Sequence, residues 1–283
     1  MFSKEYLSEF ISNALKEDIA TGDITTELTI PPGHMSAAKV IAKENLILAG
    51  LPIFTEVFKY LSEEITIHSF FNDGDHVSSG SVIAQLKGNT RYLLMGERVA
   101  LNILQRLSGI ATLTHSFVEK VKDTGATILD TRKTTPTLRP LEKYAVTVGG
   151  GKNHRSGLFD GILVKDNHIE AAGGIRKALA MLRKKRPHLM KIEVEVKNLD
   201  ELKEALEEGA DAVLLDNMKP EEIEEAVRLK RRINPDVVLE ASGGVSLENV
   251  RHFALTGVEY ISVGAITHSA RAMDISMKIE NIL

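Results

Sequence analysis

From about residue 110 onward, short apolar runs rich in Val, Ile and Leu alternate with amphipathic helical patterns. Parallel strands need crossover connections, which helices usually supply, so this alternation predicts consecutive β/α units. The predicted strands cover residues 127–129, 162–164, 192–196, 212–215, 237–239 and 260–263. The predicted helices cover residues 113–122, 175–185, 199–208, 220–232 and 247–255. Six such strands suit either a small barrel or an open, doubly wound sheet.

The first hundred residues have a different, mixed α+β character. Apolar residues at helical spacing predict amphipathic helices over residues 4–17 and from Pro52 onward, and a long helix over residues 90–108. Strands are expected at residues 37–42 and 46–49. Residues 70–86 resemble half of a lipoyl or biotinyl carrier domain, but no lysine stands at the tip of the hairpin, which favours a structural role.

Composition removes several classes of protein. The 283-residue chain has no cysteine, which excludes disulfides and thiolate metal sites. Its net charge of −4 and lack of a basic tail argue against nucleic-acid binding. The start of the chain carries acids within its apolar pattern, unlike a signal or transit peptide, and no apolar run approaches the roughly 18 residues of a membrane span. We therefore expect a soluble cytoplasmic protein with neither nucleic-acid nor membrane partners.

The predicted strands end in polar residues or glycine. In β/α barrels, the active site is built at this carboxyl end of the strands. The groups that follow the strands are Asp130-Thr131-Arg132-Lys133, Lys165-Asp166-Asn167-His168, Glu193 with Glu195, Asp216-Asn217, Glu240-Ala241-Ser242-Gly243-Gly244 and Gly264-Ala265. Convergence of six such ends predicts a functional site.

The last two strand ends indicate phosphate binding. Ser242-Gly243-Gly244 and Val263-Gly264-Ala265 each follow a strand and precede a helix. Glycine lets backbone N–H groups approach an anion, and a helix N-terminus adds its dipole. A phosphate site in the last two β/α loops is a recurring barrel feature, so these loops also favour a barrel over an open sheet.

A cationic segment lies between Asp130 and Lys165, with seven lysines and arginines against three acids. Crowded cations destabilise one another's charged form unless anions come between them. Arg132, Lys133 and Lys165 are expected at strand ends, where they would face a ligand with several negative charges. His154 and Arg155, in a glycine-rich loop over residues 149–155, are further candidate contacts.

Glu195 and Asp216 are the carboxylates expected among these cations. They could hold magnesium, ribose hydroxyls or both, or could serve only to neutralise nearby lysines. Glu193 has the same strand parity as Glu195, so sequence alone leaves open which of the two is the working residue.

These motifs, in this order, resemble the quinolinate phosphoribosyltransferase family. The matching segments span nearly the whole chain: residues 22–25, 97–102, 108–112, 131–134, 149–158, 165–168, 193–196, 214–217, 240–244 and 263–265.

The resemblance implies a fold and an assembly. The fold would be α/β: a small, six- to seven-stranded, incomplete TIM-like α/β barrel with an N-terminal α+β sandwich domain. Residues 1–109 and 266–283 would form the N-terminal domain, to which a C-terminal helix returns, and residues 110–265 the barrel. The protein would be a homodimer with shared active sites, and whether dimers assemble further stays open.

The resemblance also implies residue roles in magnesium-dependent transfer of phosphoribosyl from phosphoribosyl pyrophosphate to quinolinate, with decarboxylation. Arg132, His154, Arg155 and Lys165 would bind quinolinate, and Arg98 would reach the neighbouring subunit's site. Lys133, Glu195 and Asp216 would be catalytic, with Glu195 and Asp216 also holding Mg²⁺. The 5′-phosphate would be held by Ser242, Gly243 and Gly264. Thr137 departs from the family pattern, which usually has glycine after Thr-Pro.

Three alternatives remain at this point. A barrel aldolase would use Lys133 or Lys165 as a Schiff base. A paralogue with the same fold would act on another ring substrate. A scaffold or carrier would bind an anion without turnover.

Overall fold

The structure, a computed structural model, describes residues 3–281. The chain divides into two compact units. Unit 1 comprises Met1–Leu113, Pro140–Gly150 and Ala270–Leu283, and unit 2 comprises Thr114–Arg139 and Gly151–Ser269. The segment Pro140–Gly150 thus belongs to unit 1, although the sequence had placed it in the barrel domain.

Unit 1 is built around a four-stranded antiparallel sheet. Its elements are α1 (Lys4–Ile19), α2 (Ile24–Thr29), β1 (Met35–Ala42), β2 (Leu46–Ile47), α3 (Leu51–Leu61), β3 (Thr66–Ser69), β4 (His76–Val77), β5 (Val82–Asn89), the first part of α4 (Thr90–Val121), α5 (Arg139–Val148, from Pro140) and β12 (Ile275–Asn281). The sheet order is β12-β1-β5-β3, and β2 pairs separately with β4. One apolar core joins the sheet to α1, α3 and α4, with Phe54 and Phe58 fully buried at its centre.

The predicted C-terminal helix is wrong, because residues 275–281 form strand β12, which pairs antiparallel with β1. The physical reason is the side-chain period. Ile275, Met277 and Ile279 alternate with polar residues, so one face of a strand is apolar, whereas a helix would scatter these side chains around its axis. Ile275 and Met277 are accordingly buried in the core of unit 1.

Unit 2 contains the repeated β/α elements that the sequence predicted. They are β6 (Thr127–Leu129), β7 (Ile162–Val164), α6 (Asp166–Ala172), α7 (Ile175–Lys185), β8 (Ile192–Val196), α8 (Leu199–Glu207), β9 (Ala212–Asp216), α9 (Pro220–Ile233), β10 (Val238–Ser242), α10 (Val250–Leu255), β11 (Tyr260–Ser262) and α11 (Ala265–His268). All six strands are confirmed, with small differences at their ends.

The six strands form one parallel sheet in the order β6-β11-β10-β9-β8-β7. β6 and β7 are consecutive in the chain yet lie at opposite edges, which is the order of a barrel left open between them. Lys152 adds an isolated parallel bridge to Leu129 on the free side of β6. The predicted incomplete barrel of six to seven strands is therefore confirmed.

The two helices predicted over residues 90–108 and 113–122 are parts of one helix. The separate helix predicted over residues 113–122 is the end of α4, which runs without a break from Thr90 to Val121. Gly109 is not a helix terminus: a Cβ there would crowd the Arg271 carbonyl group, whose carbon would lie 3.0 Å away. The residue serves close packing within unit 1. Across residues 3–281, no helix combines the length and apolar character needed to cross a bilayer.

Candidate active site at the carboxyl ends of the parallel strands

The ends of β6 and β11, which are neighbours in the sheet, bring Lys133 beside Gly264. The Thr267 hydroxyl donates to the Lys133 carbonyl oxygen at 2.8 Å. A Cβ at Gly264 would lie 3.1 Å from Lys133 Cδ, so the lysine side chain runs close along this glycine. One predicted catalytic cation and one predicted phosphate-binding backbone therefore share a corner of the site.

The glycine-rich loop lies along the edge of β6. The Lys152 N–H donates to the Ile128 carbonyl at 2.9 Å, and the Asp130 N–H donates back to the Lys152 carbonyl at 3.1 Å. The fully buried Asp130 carboxylate then accepts the His154 N–H at 2.8 Å. These bonds fix the direction in which His154 and Arg155 leave the loop.

Arg155 lies near Arg132 with its hydrogen-bonding capacity only partly used. Its Nη1 donates to the Gly161 carbonyl at 3.0 Å, while its buried Nε has no partner among residues 3–281. Burial first, and then the charge of Arg132, lower the pKa of Arg155. A guanidinium group with an unused buried donor, close enough to a second arginine to feel its charge, is suited to a ligand with carboxylates.

His154 points into the barrel interior and not directly outward. Its Nδ1 accepts the Arg155 N–H at 2.8 Å, and its Nε2 lies 2.9 Å from Glu193 Oε2 and 3.6 Å from Glu240 Oε2. Because Nδ1 is an acceptor, the proton of the neutral ring is on Nε2, which donates to Glu193.

The group formed by His154, Glu193 and Glu240 has the composition of a metal site, since its three ligand atoms lie within 4.8 Å of one another. The hydrogen bonds of His154 are incompatible with metal binding. A metal on Nε2 would force the ring proton onto Nδ1, where it would oppose the Arg155 N–H. The geometry describes a hydrogen-bonded cluster.

Lys165 and Glu195 form an ion pair at the ends of β7 and β8. Lys165 Nζ lies 2.8 Å from Glu195 Oε2, and the glutamate is buried while the lysine is half exposed. His168 Nδ1 accepts the Lys165 N–H at 3.0 Å, which caps α6 and fixes the lysine backbone. Glu195 thus contacts a predicted substrate-binding cation, whereas Glu193 contacts His154.

Asp216 and Ser242 lie opposite each other at the ends of β9 and β10. The following Asn217 has a φ of 55°, and its N–H donates to the Ser242 carbonyl at 2.8 Å. Gly243 has a φ of 96° and packs against the Asn217 amide. The Asp216 carboxylate, the Ser242 hydroxyl and the Gly243 backbone therefore lie close together where β9 and β10 end.

Unit 2 contains every predicted site residue except one: Arg98 lies in unit 1, exposed on α4. Three contributors were not selected as site residues from the sequence, namely Asp130, Asn217 and Glu240. Strand parity could have indicated Glu240, since it shares a face with Ser242. Burial of Asp130 and the left-handed backbone of Asn217 leave no comparable signal in a single sequence.

The fold and these strand ends define a class: an incomplete α/β barrel whose mouth combines cations, two carboxylates and glycine loops for an anionic ligand. The sequence model described as the N-terminal domain of quinolinate phosphoribosyl transferase matches residues 23–108, and the C-terminal domain model matches residues 110–278.

Named relatives agree with this class along the whole chain. A probable nicotinate-nucleotide pyrophosphorylase [carboxylating] of Bacillus subtilis is 46% identical over 96% of this chain and 93% of that protein. A mitochondrial quinolinate phosphoribosyltransferase [decarboxylating] of Nicotiana glauca is 41% identical over 98% of this chain and 83% of that protein. The solved nicotinate-nucleotide pyrophosphorylase of Francisella tularensis has a TM-score of 0.94 at 42% identity, covering 99% of this chain and 98% of that one. The chain belongs to the quinolinate phosphoribosyltransferase family.

Proposed function

We propose that this phosphoribosyltransferase joins quinolinate to phosphoribosyl pyrophosphate and releases carbon dioxide and pyrophosphate, giving nicotinate mononucleotide in the synthesis of NAD. The observation that carries the proposal is the buried Arg155 Nε, which has no partner among residues 3–281, in a side chain whose pKa is lowered by burial and by the charge of Arg132. Adjacent carboxylates on one ring supply the charges that these two arginines need. Nicotinate, with a single carboxylate, would leave one guanidinium without its anion.

The remaining strand ends support binding of the second substrate. Ser242, Gly243 and Gly264 would receive its 5′-phosphate, because a hydroxyl and glycine backbones at two adjacent strand ends offer donors without steric obstruction. Lys133, which runs beside Gly264, would neutralise the pyrophosphate. Asp216, directly across from Ser242, would accept from the ribose hydroxyls.

The first chemical step is displacement at the ribose. The pyridine nitrogen donates its electron pair to C1, and the bond from C1 to pyrophosphate breaks with its electrons on the leaving oxygen. Positive charge develops on the ribose, and the carboxylates of Glu195 and Asp216 would stabilise it electrostatically. Since no protein nucleophile is required, the contribution of the chain is positioning and charge.

Magnesium is a separate part of the proposal. Mg²⁺ usually keeps several waters and takes one or two carboxylates together with substrate phosphates, and Glu195 and Asp216 fit that donor set. The ion pair with Lys165 leaves one Glu195 oxygen without that contact. When bound, the ion would neutralise charge on the pyrophosphate.

Decarboxylation follows from the first step. The alkylated ring nitrogen is cationic, so it withdraws electrons from the neighbouring ring carbon. The bond to the adjacent carboxylate breaks, carbon dioxide leaves, and the ring carbon keeps the electron pair and takes up a proton. Arg155 would hold the ring through this change, with His154 fixing the Arg155 backbone, and Lys165 would bind a carboxylate.

The Lys165–Glu195 contact argues against Lys165 as the Schiff-base residue of an aldolase, because an ammonium group that donates to a carboxylate has no free electron pair for a carbonyl. The homodimer with shared active sites, the contribution of Arg98 to the neighbouring subunit and the cytoplasmic location stay predictions.

The proposal is tested by supplying quinolinate labelled in the 2-carboxylate, together with phosphoribosyl pyrophosphate and Mg²⁺. We expect labelled carbon dioxide, pyrophosphate and nicotinate mononucleotide in equal amounts, and none of them when Mg²⁺ is chelated. Pyrophosphate release without labelled carbon dioxide would contradict the assigned substrate. A borohydride-trapped adduct with a carbonyl compound would favour the aldolase.

A further inference from the structure

The cluster of His154, Glu193 and Glu240 lies deeper in the barrel than the substrate-binding residues. Glu193 precedes Glu195 by two residues on β8, and Glu240 precedes Ser242 by two residues on β10. Two residues along a strand correspond to about 6–7 Å, with both side chains on the same face. The cluster is therefore the layer beneath the mouth, and His154 connects the two layers.

One of the two carboxyl groups in this cluster must be protonated. Glu240 is only 3% exposed, and its carboxylate lies within 4.8 Å of that of Glu193. Two carboxylates this close in a buried place cannot both be ionised at little cost. The His154 ring cannot supply compensating charge, because Nδ1 accepts the Arg155 N–H.

Hydrogen-bond partners indicate which carboxylate is protonated. Glu193 Oε2 accepts the His154 Nε2–H at 2.9 Å. Buried Glu240 Oε1 has no partner among residues 3–281. Burial, followed by the charge of Glu193, raises the pKa of Glu240 to about 8. Glu240 is thus the neutral member near pH 7.

We propose that protonated Glu240 is a positioning residue for quinolinate: it lets Glu193 hold His154, and through the hydrogen bond from the Arg155 N–H to His154 Nδ1 it fixes the backbone from which the Arg155 side chain extends. This inference rests on the proposed function, because quinolinate is the ligand that Arg155 is expected to bind. It extends the site to a residue that does not touch the substrate.

A cavity gives this cluster access to water from the opposite end of the barrel. The cavity has a volume of about 340 Å³ and is lined largely by residues at the amino ends of the strands. The ionisable groups that face Glu240 across it are Glu193, His154, Lys152, Arg155, Lys191, Asp211 and Tyr260. Protons can therefore reach Glu240 without passing through the mouth.

Loss of the Glu240 proton has a defined consequence. A second negative charge would appear beside Glu193 in the cavity that Arg155 also lines, and it would compete with a bound dicarboxylate for the Arg155 guanidinium. The energetic cost falls on binding, so the KM for quinolinate should rise while kcat changes little. The 5′-phosphate site on Gly243 and Gly264 is expected to be unaffected.

The test compares wild type with Glu240→Gln, which keeps the shape but stays neutral at every pH. With the Glu240 pKa at about 8, wild-type kcat/KM for quinolinate should fall about 30-fold between pH 7 and pH 9.5, through KM. Glu240→Gln should fall less than about 3-fold, with the KM for phosphoribosyl pyrophosphate similar in both proteins. An equal alkaline loss in both proteins would overturn the proposal.

A second measurement needs no variant of Glu240. In ¹⁵N spectra of the wild-type imidazoles, the His154 signals, assigned by their loss in His154→Asn, should show a neutral ring protonated on Nε2 at pH 7. An imidazolium, or a proton on Nδ1, would refute the proposal even if Glu240→Gln fails to fold. Absence of carbon dioxide release in the wild type would instead refute the proposed function.

Discussion

Gly243 offers a direct test of the predicted phosphate loop. Its φ is 96°, a conformation that side-chain-bearing residues rarely adopt. A Cβ at this position would lie 2.6 Å from the Asn217 amide carbon and 3.1 Å from the Asn217 backbone nitrogen. The amide can rotate away, but the backbone nitrogen is fixed by its hydrogen bond to Ser242. Gly243→Ala must therefore move the loop.

The size of the effect follows from two contributions. A residue with a Cβ costs about 1–2 kcal/mol at a left-handed backbone position. Displacement of the loop by a few tenths of an ångström weakens hydrogen bonds to a charged phosphate, which are worth about 1.5–3 kcal/mol each. Loss of one such bond corresponds to about a 10- to 100-fold fall in kcat/KM for phosphoribosyl pyrophosphate.

The assay is steady-state kinetics with each substrate varied, beside thermal unfolding. Gly244→Ala is the matched control, because Gly244 has a φ of 63° but a Cβ there would meet nothing within 4 Å. We expect similar melting temperatures for the two variants and a raised KM for phosphoribosyl pyrophosphate only in Gly243→Ala. An unchanged KM in Gly243→Ala, or an equal rise in both variants, would refute the assignment of this loop.

Three further predictions concern other parts of the chain. Arg155→Lys keeps the positive charge but loses the planar guanidinium group, so the KM for quinolinate should rise on the order of tenfold. Arg132→Ala should raise this KM and also lower kcat. Normal kinetics in either variant would contradict the assignment of these arginines to quinolinate binding. Hydrogen bonds from Arg271 lower the pKa of Glu44 to about 2. A carboxyl group whose pKa is lowered by folding stabilises the folded protein at any pH above its pKa in the unfolded chain. Glu44→Gln should therefore lower the free energy of unfolding by up to about 1 kcal/mol at pH 7. That difference should shrink as the pH falls from 4.5 toward 2 in denaturant titrations, and a constant difference would refute it. Thr137 has a φ of 68°, so Thr137→Gly should relieve about 1–2 kcal/mol of strain, partly offset by chain entropy, and a lower melting temperature would contradict this.

The sequence predicted unit 2 more accurately than unit 1 because parallel strands are covered on both faces. Their buried runs, such as residues 213–215 within β9 (Ala212–Asp216), are compact and apolar and end at a polar residue. The C-terminal strand was missed because the alternation of Ile275, Met277 and Ile279 was not weighed against a helical period. Helix α5 was missed because its buried face includes the charged residues Glu142 and Lys143, which hide an amphipathic stripe.

The positions of Glu193 and Glu195 on one strand could be predicted from the sequence, but their contacts could not. Strand-end parity identified Glu193 and Glu195 as equivalent, and only packing separated them, since Lys165 contacts Glu195 and His154 contacts Glu193. The tautomer of His154 depends on a backbone N–H of the adjacent residue, a feature without any sequence pattern. Long-range pairing of this kind follows from the order of the strands in the incomplete barrel and not from local propensity.

Selectivity for a dicarboxylate is measured as the ratio of kcat/KM for quinolinate to that for nicotinate, at saturating phosphoribosyl pyrophosphate and Mg²⁺. If Arg132 and Arg155 bind a dicarboxylate, a missing carboxylate removes at least one hydrogen bond between charged groups, and quinolinate should be preferred by about 10- to 100-fold. Equal use of both rings, or preference for nicotinate, would contradict the account.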